Sequence, residues 1–285
     1  MMYMRQRETS APARVPFVKM NGAGNDFVVL DSRAYPLELS PEQVRRLADR
    51  GNSATQGCDQ VIVLEHSPEK ADVFMRIFNA DGSEVSACGN ATRCVGALVM
   101  EQTGKNEMRI QTRAGLLACT RAEGGITADM GRPCFDPAGI PLAAGMSADP
   151  VPVAYNGLKD GIALSVGNPH VVYFVKDVSA VDLATYGPRI ERRTDVFPQR
   201  VNVSVARVRD PEHIVLRVWE RGAGLTLACG TAACAVLAAA ASRGLSSRAA
   251  EIVMLGGAVQ VEWRDDDHLW MTGPAVMEFT GLAMV

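Results

Sequence analysis

Ala87-Cys88-Gly89-Asn90-Ala91 and Ala228-Cys229-Gly230-Thr231-Ala232 are near-copies of one pentapeptide, and each runs on into small or apolar residues. One such match could arise by chance, because Ala, Cys and Gly combine often. Three further landmarks, however, keep nearly the offset of 141 residues that separates Cys88 from Cys229. Gly24-Asn25 answers to Gly167-Asn168, Asp59-Gln60 to Val201-Asn202, and Asn79 to Glu220. Four landmarks in the same order imply an internal duplication. The expected fold is α+β, with two similar domains related by a pseudo-twofold and the two Ala-Cys-Gly segments facing each other across a cleft.

Local patterning agrees with two repeats. Phe17 to Met20 and Phe27 to Asp31 read as short strands around a Gly-rich turn, as do Gly161 to Val166 and His170 to Val175. Ser40-Pro41-Glu42-Gln43 combines an N-cap, a proline at the first helical position and a capping-box Gln, followed by Val44, Leu47 and Ala48 on one face. A weaker helical counterpart, Asp182 to Tyr186, is expected to stop at Gly187-Pro188. Strand-like runs follow at Gln60 to Leu64, Val73 to Phe78, Met108 to Thr112, Val201 to Val205, Ile214 to Trp219 and Glu251 to Val253. After each cysteine comes a helix, Ala91 to Thr103 before Gly104 and Ala232 to Arg243 before Gly244. Helices so rich in small and apolar residues suit the inside of a wrap of strands. Residues 1–14 read as a disordered leader, 15–131 with 275–285 as the first domain, and 132–274 as the second.

Composition removes several function classes. With 29 basic and 32 acidic residues the net charge is −3, so there is no global positive field to hold a nucleic-acid backbone. The longest apolar run, Ala232 to Ala241, is about half of what a bilayer-spanning helix needs. The Arg-bearing N-terminus lacks the apolar stretch of a secretory signal, which favours the cytoplasm. Seven cysteines without zinc-like spacing argue against a disulfide framework and against a structural metal.

A cysteine in a small-residue helix is ordinarily a small buried hydrophobe. For Cys88 and Cys229 the duplication and the flanking glycines reverse that reading, whereas Cys58, Cys94, Cys119, Cys134 and Cys234 keep it. A cysteine at a helix N-terminus meets unpaired N–H groups and the positive end of the macrodipole, so its thiol is expected to ionise more easily. The N–H groups of Gly89-Asn90 and Gly230-Thr231 could hold a carboxylate between the two helix ends. This suits removal of the α-proton of an amino acid, which moves negative charge onto that carboxylate. Inversion needs a base on one face of the carbon and an acid on the other, and two pseudo-symmetric cysteines supply both. The scattered His66, His170, His213 and His268 give no support to a metal, and the lysines sit in no Schiff-base context.

Five segments make the chain resemble the diaminopimelate epimerase family from about Phe17 onward. They are MNGAGNDFVVLD at Met20 to Asp31, FNADGSEVSACGNATRC at Phe78 to Cys94, GNPH at Gly167 to His170, RVN at Arg200 to Asn202, and ERGAGLTLACGTAACA at Glu220 to Ala235. The resemblance implies a strongly curved mixed and antiparallel sheet wrapped around a central helix in each domain, with the active site in the interdomain cleft. It implies interconversion of LL- and meso-2,6-diaminopimelate without pyridoxal phosphate, metal or other cofactor, on the route to lysine and peptidoglycan, by a homodimer. In that pattern Cys229 takes the proton from the LL substrate and Cys88 gives one, while His170 and Glu220 flank the reacting centre. Substrate contacts fall to Asn25, Gln60, Asn79, Gly89, Asn90, Asn168, Asn202, Glu220, Arg221, Gly230 and Thr231. Gly is common in the family where Ala91 and Ala232 stand, a change made in both halves together. The nearest rival is a proline or hydroxyproline racemase, and a more distant one is a ligand-binding protein on the same fold. Asn25, Asn79, Asn202 and Glu220-Arg221 favour a substrate with a second polar end.

Overall fold

The computed structural model describes residues 14–69 and 71–285. The expected leader lies outside the described residues, apart from Arg14, which opens the first strand. The first half runs β1 (Arg14–Gly22), β2 (Asn25–Asp31), α1 (Pro41–Ala48), β3 (Gln60–Glu65), β4 (Val73–Asn79), β5 (Glu84–Val85), α2 (Gly89–Thr103), β6 (Glu107–Thr112), β7 (Gly115–Ala122) and β8 (Gly125–Asp129). The second half repeats that order as β9 (Ile162–Ser165), β10 (Pro169–Phe174), α3 (Leu183–Glu191), β11 (Asn202–Asp210), β12 (His213–Glu220), β13 (Gly224–Thr226), α4 (Gly230–Ser242), β14 (Ala249–Met254), β15 (Gly257–Trp263) and β16 (Leu269–Gly273). A last strand, β17 (Val276–Met284), follows.

The pairings repeat as well as the elements. β2 runs parallel to β3 and β4 to β6, just as β10 runs parallel to β11 and β12 to β14. Remaining neighbours within each half are antiparallel, so each sheet is mixed. Two antiparallel contacts complete the molecule. β16 pairs with β8, Met271 opposite Ala128, and β17 returns to β1, Thr280 opposite Val18. The structure thus has the duplicated α+β organisation that the four landmarks imply.

Each sheet is covered on both faces, which is why its central strands are almost continuously apolar. Phe27 and Val29 of β2 turn inward onto Cys94, Val95 and Val99 of α2. Val28 and Leu30 turn the other way, onto Val44 and Leu47 of α1. In the second half Val172 faces α4, while Val171 and Tyr173 face Leu183 and Ile190 of α3. The helix α4 is buried continuously from Ala232 to Ala240, so it has no polar stripe, and its small side chains let strands close around it.

Helix ends follow local chemistry. Ser40 Oγ accepts from Gln43 N at 3.2 Å and Gln43 Oε1 accepts from Ser40 N at 2.7 Å, completing the capping box of α1. Gly104 ends α2 with φ of 70° and donates its N–H to Met100 O at 2.9 Å. The stop expected at Gly187-Pro188 does not occur, since α3 continues to Glu191 with Pro188 inside it. Tertiary packing overrides the local signal. Ile190 and Glu191 are buried, Trp219 Nε1 donates to Glu191 Oε2 at 2.8 Å, and the Trp219 ring rests on Gly187, where a Cβ would lie 2.6 Å from Cγ.

The two halves also touch through their turns. Gly24, between β1 and β2, has φ of 84°, and a Cβ there would lie 2.5 Å from Gly256 Cα in the turn between β14 and β15. Gly24→Ala therefore meets both a left-handed backbone and a backbone clash, and is expected to lower stability by about 2–4 kcal/mol. Gly104→Ala, with φ of 70° and nothing within 4 Å, is expected to cost only about 1 kcal/mol. Urea unfolding of both variants checks the difference, and equal losses would mean that the contact between the turns contributes nothing.

Candidate active site

Cys88 and Cys229 are the N-caps of α2 and α4, with φ and ψ of −151° and 113° for the first and −142° and 111° for the second. Both helices begin two residues earlier than the apolar pattern suggests, at Gly89 and Gly230, so the cysteines stand at the very entry to each helix. The two helix heads meet. A Cβ at Gly89 would lie 3.0 Å from Met271 Cε, and one at Gly230 would lie 2.8 Å from the same methyl and 3.4 Å from Asn90 Oδ1. Glycine at both first positions leaves the Met271 side chain room between the two N-termini.

Around Cys88 the side chains form a directed chain. Arg50 donates to Asp26 through two nitrogens, at 2.6 and 2.8 Å, and to Asp59 at 2.8 Å. Asp59 Oδ2 accepts from Asn25 Nδ2 at 2.8 Å, which settles the orientation of that amide. Asn25 Oδ1 is then turned toward Cys88 Sγ at 3.8 Å and accepts from Asn90 Nδ2 at 3.4 Å. Cys88 itself is only partly buried.

The surroundings of Cys229 differ. Its Sγ lies 3.5 Å from Thr231 Oγ1, which lies 3.1 Å from His170 Nε2. His170 Nε2 donates to Asn168 Oδ1 at 2.8 Å, and Asn168 Nδ2 donates to Thr231 Oγ1 at 3.3 Å. Glu220, held by a 2.6 Å bond from Thr226 Oγ1, stands beside Cys229. Cys229 is 6% exposed.

Burial reverses the expected ease of ionisation. Desolvation pushes the Cys88 thiol up to about 11, against the lowering effect of the Ala91 N–H, and the charge of Glu220 pushes further in the same direction. Desolvation and then Glu220 hold the Cys229 thiol well above the usual range too. Burial likewise raises the Glu220 carboxyl. The helix N-termini do lower the thiols, as expected, but the loss of water outweighs them. Glu220 belongs to the second half and acts on Cys88 in the first, so both thiols share one electrostatic site.

The other residues singled out in the sequence make contacts of their own. Gln60 Nε2 donates to Asn79 Oδ1 at 3.0 Å, and the buried Gln60 Oε1 has no partner among the described residues. Asn202 Nδ2 donates to Pro169 O at 2.9 Å and its Oδ1 accepts from Arg221 N at 2.9 Å. The exposed Arg221 donates from its guanidinium to Gln199 O at 2.8 Å. Among the described residues, no group of three or more His, Cys, Asp or Glu is arranged to hold a metal. Asp59, noted in the sequence only as a landmark of the duplication, orients Asn25, and Arg93 and Met271, which were not singled out, lie against Asn90 and the two helix heads. The signal for Arg93 was present, as a single cation in the small and apolar first part of that helix.

A pair of cysteines at facing helix heads in a duplicated fold is an arrangement suited to two-base epimerisation, and solved structures share the fold. The Bacillus anthracis phenazine biosynthesis protein of the PhzF family superposes with a TM-score of 0.67 at 18% identity, covering 96% of this chain and 100% of that one. A hydroxyproline epimerase from Agrobacterium vitis, solved with trans-4-hydroxy-L-proline bound, does so with a TM-score of 0.65 at 14% identity, covering 95% and 93%. At the level of sequence, the family model described as diaminopimelate epimerase matches residues 17–135 and 162–278. The diaminopimelate epimerase of Rhodospirillum centenum is 52% identical over 267 residues, which are 93% of this chain and 91% of the relative. This chain belongs to the diaminopimelate epimerase family.

The buried His170 yields a pH prediction. Burial, aided by the charge of Arg221, lowers its pKa from 6.5 to about 3. Between those values the unfolded chain binds the proton that the fold refuses, so stability is full above about pH 6.5 and declines as pH falls toward 3. His170→Gln is expected to flatten the drop in thermal midpoint between about pH 6.5 and about pH 4. An unchanged slope would mean that this histidine does not titrate against folding.

Proposed function

We propose that this protein interconverts LL- and meso-2,6-diaminopimelate by direct proton transfer between two thiols. The observation that carries the reading is the pair of cysteines N-capping two helices whose heads converge. The Cys229 thiolate removes the α-proton of the LL substrate, forming an S–H bond. The electron pair of the broken C–H bond moves into the carboxylate as an enediolate, facing the N–H groups of Gly89-Asn90 and Gly230-Thr231. The Cys88 thiol then protonates the opposite face and is left as thiolate. The two cysteines exchange states in each turnover, and the reverse reaction starts from Cys88. Neither metal nor pyridoxal phosphate enters this scheme.

Asn25, Gln60, Asn79, Asn168, Asn202 and Arg221 are assigned to the two ends of the substrate. Amides serve both donors and acceptors of a zwitterion, and Arg221 takes the distal carboxylate. His170 remains neutral under the burial described above, and with Glu220 it tunes the Cys229 side. Division of the chain at 131/132, with 275–285 completing the first domain, is supported by the pairing of β17 with β1. A homodimer is supported by exposed Val276, Met277, Leu282 and Met284 on β17, beside a groove lined by Phe17, Leu98 and Leu282. No described helix is long and apolar enough to cross a membrane. A cytoplasmic enzyme that does not engage nucleic acid remains part of the proposal.

In deuterated water the enzyme is expected to exchange the α-hydrogen of diaminopimelate, as followed by proton NMR. Exchange with trans-4-hydroxy-L-proline or proline, and none with diaminopimelate, would reassign the chemistry. Cys88→Ala is expected to reduce epimerisation by about 10³-fold or more while substrate affinity by calorimetry stays within about threefold. Retained turnover in that variant would exclude the two-thiol scheme.

A further inference from the structure

The least explained charge in the molecule is Arg93, one turn into α2. Its side chain is fully buried. Among the described residues no carboxylate pairs with it. Nη2 donates to Asn90 Oδ1 at 3.0 Å, Nη1 lies 3.4 Å from Met271 Sδ, and Nε has no partner. Burial lowers its basicity, yet a guanidinium stays charged in a protein. A lone buried ion is costly, and a well-packed apolar residue in its place is often neutral or stabilising. Packing alone therefore does not account for an arginine here.

Its neighbours show what the charge faces. Both polar contacts of Arg93 are the groups that join the two helix heads, since Asn90 and Met271 each lie against Gly230 and Met271 also lies against Gly89. The cation thus stands directly behind two positive helix ends, with the thiols of Cys88, Cys94, Cys119 and Cys234 as its nearest ionisable groups. Among the described residues these four thiols, uncharged when protonated, are the groups that act on the guanidinium. The bond from Nη2 also settles the Asn90 amide, turning Oδ1 back to the guanidinium and leaving Nδ2 free to point toward Asn25.

We propose that Arg93 is a positioning residue for epimerisation: it fixes the Asn90 amide and adds a full positive charge behind the paired helix heads, so that its counterion is the substrate's α-carboxylate. The inference rests on the proposed two-thiol reaction and deepens it. Charge on that carboxylate grows as the proton leaves, so the guanidinium stabilises the enediolate more than the bound substrate, and it does so through Asn90 and the helix ends without touching either. The same charge favours the thiolate of Cys88.

Arg93→Met, Arg93→Gln and Arg93→Lys test this with three readouts: steady-state kinetics on LL-diaminopimelate, the rate of Cys88 alkylation by iodoacetamide at each pH followed by peptide mass spectrometry, and the thermal midpoint. For Arg93→Met, kcat is expected to fall by roughly tenfold to a hundredfold, less than for loss of a direct donor, with KM changing less than kcat. Alkylation of Cys88 near pH 8 should slow by about three- to tenfold, while the thermal midpoint stays level or rises. Arg93→Lys should keep kcat within about tenfold of the parent and restore the alkylation rate. A purely structural arginine would give the opposite pattern, with a lower midpoint and unchanged kcat and alkylation in Arg93→Met, and that result overturns the proposal. Equal losses in the Lys and Met variants overturn it too, because charge would then be irrelevant. Should Arg93→Met fail to fold, the comparison of Gln with Lys decides by the same criteria. Parent enzyme that exchanges no α-hydrogen would fault the proposed reaction itself, whereas the alkylation profile would still report whether Arg93 acts on Cys88.

Discussion

Everything in this fold answers to the close approach of two helix N-termini. Macrodipoles that point at one another repel, and the arrangement is held by strands packed on each helix from outside, with Met271 lying at the junction against both first-position glycines. Small residues along α4 let its sheet close tightly. The duplication supplies the rest. Two copies of one strand–helix unit, joined edge to edge through β8 and β16, necessarily bring equivalent helix ends to a common axis.

Symmetry of backbone is not matched by symmetry of side chains. Cys88 is approached by amides whose orientation derives from Asp59 and Arg50, and Cys229 by a hydroxyl, an imidazole and a carboxyl. The position corresponding to Asp59 is Val201, so the first chain of contacts cannot form in the second half. A chiral carbon presents different groups to its two faces. Two thiols with different neighbours can therefore meet the two configurations on unequal terms, even though the helices that carry them have nearly the same geometry.

The sequence was most legible where one residue type had one physical use. The capping box of α1, the glycine that ends α2, and the strands β2, β3 and β4 all fall where periodicity and turn chemistry place them, and the cysteines occupy the positions that their flanking glycines suggest. Strands such as β7 and β16 were not read, because GLLACTRA and LWMTG carry no clean alternation and gain their place only from partners far away in the chain. The passage of α3 through Pro188 depends on Trp219, which no local rule brings near. Thiol ionisation failed for a related reason: a helix end is visible in sequence, but the depth at which it is buried is not.

The return of β17 to β1 gives the molecule a temporal asymmetry. The first repeat is translated first, yet the strand that lies along its β1 edge, β17, follows the whole of the second repeat. On the ribosome, Phe17 and its neighbours on β1 must wait through the synthesis of the entire second repeat before their final neighbour emerges. Vectorial synthesis can build the α4 half as a continuous stretch, whereas the α2 half is sealed last. The shared surroundings of the two thiols therefore form only once the second repeat, which carries Glu220 and Cys229, has been made and has folded against the first.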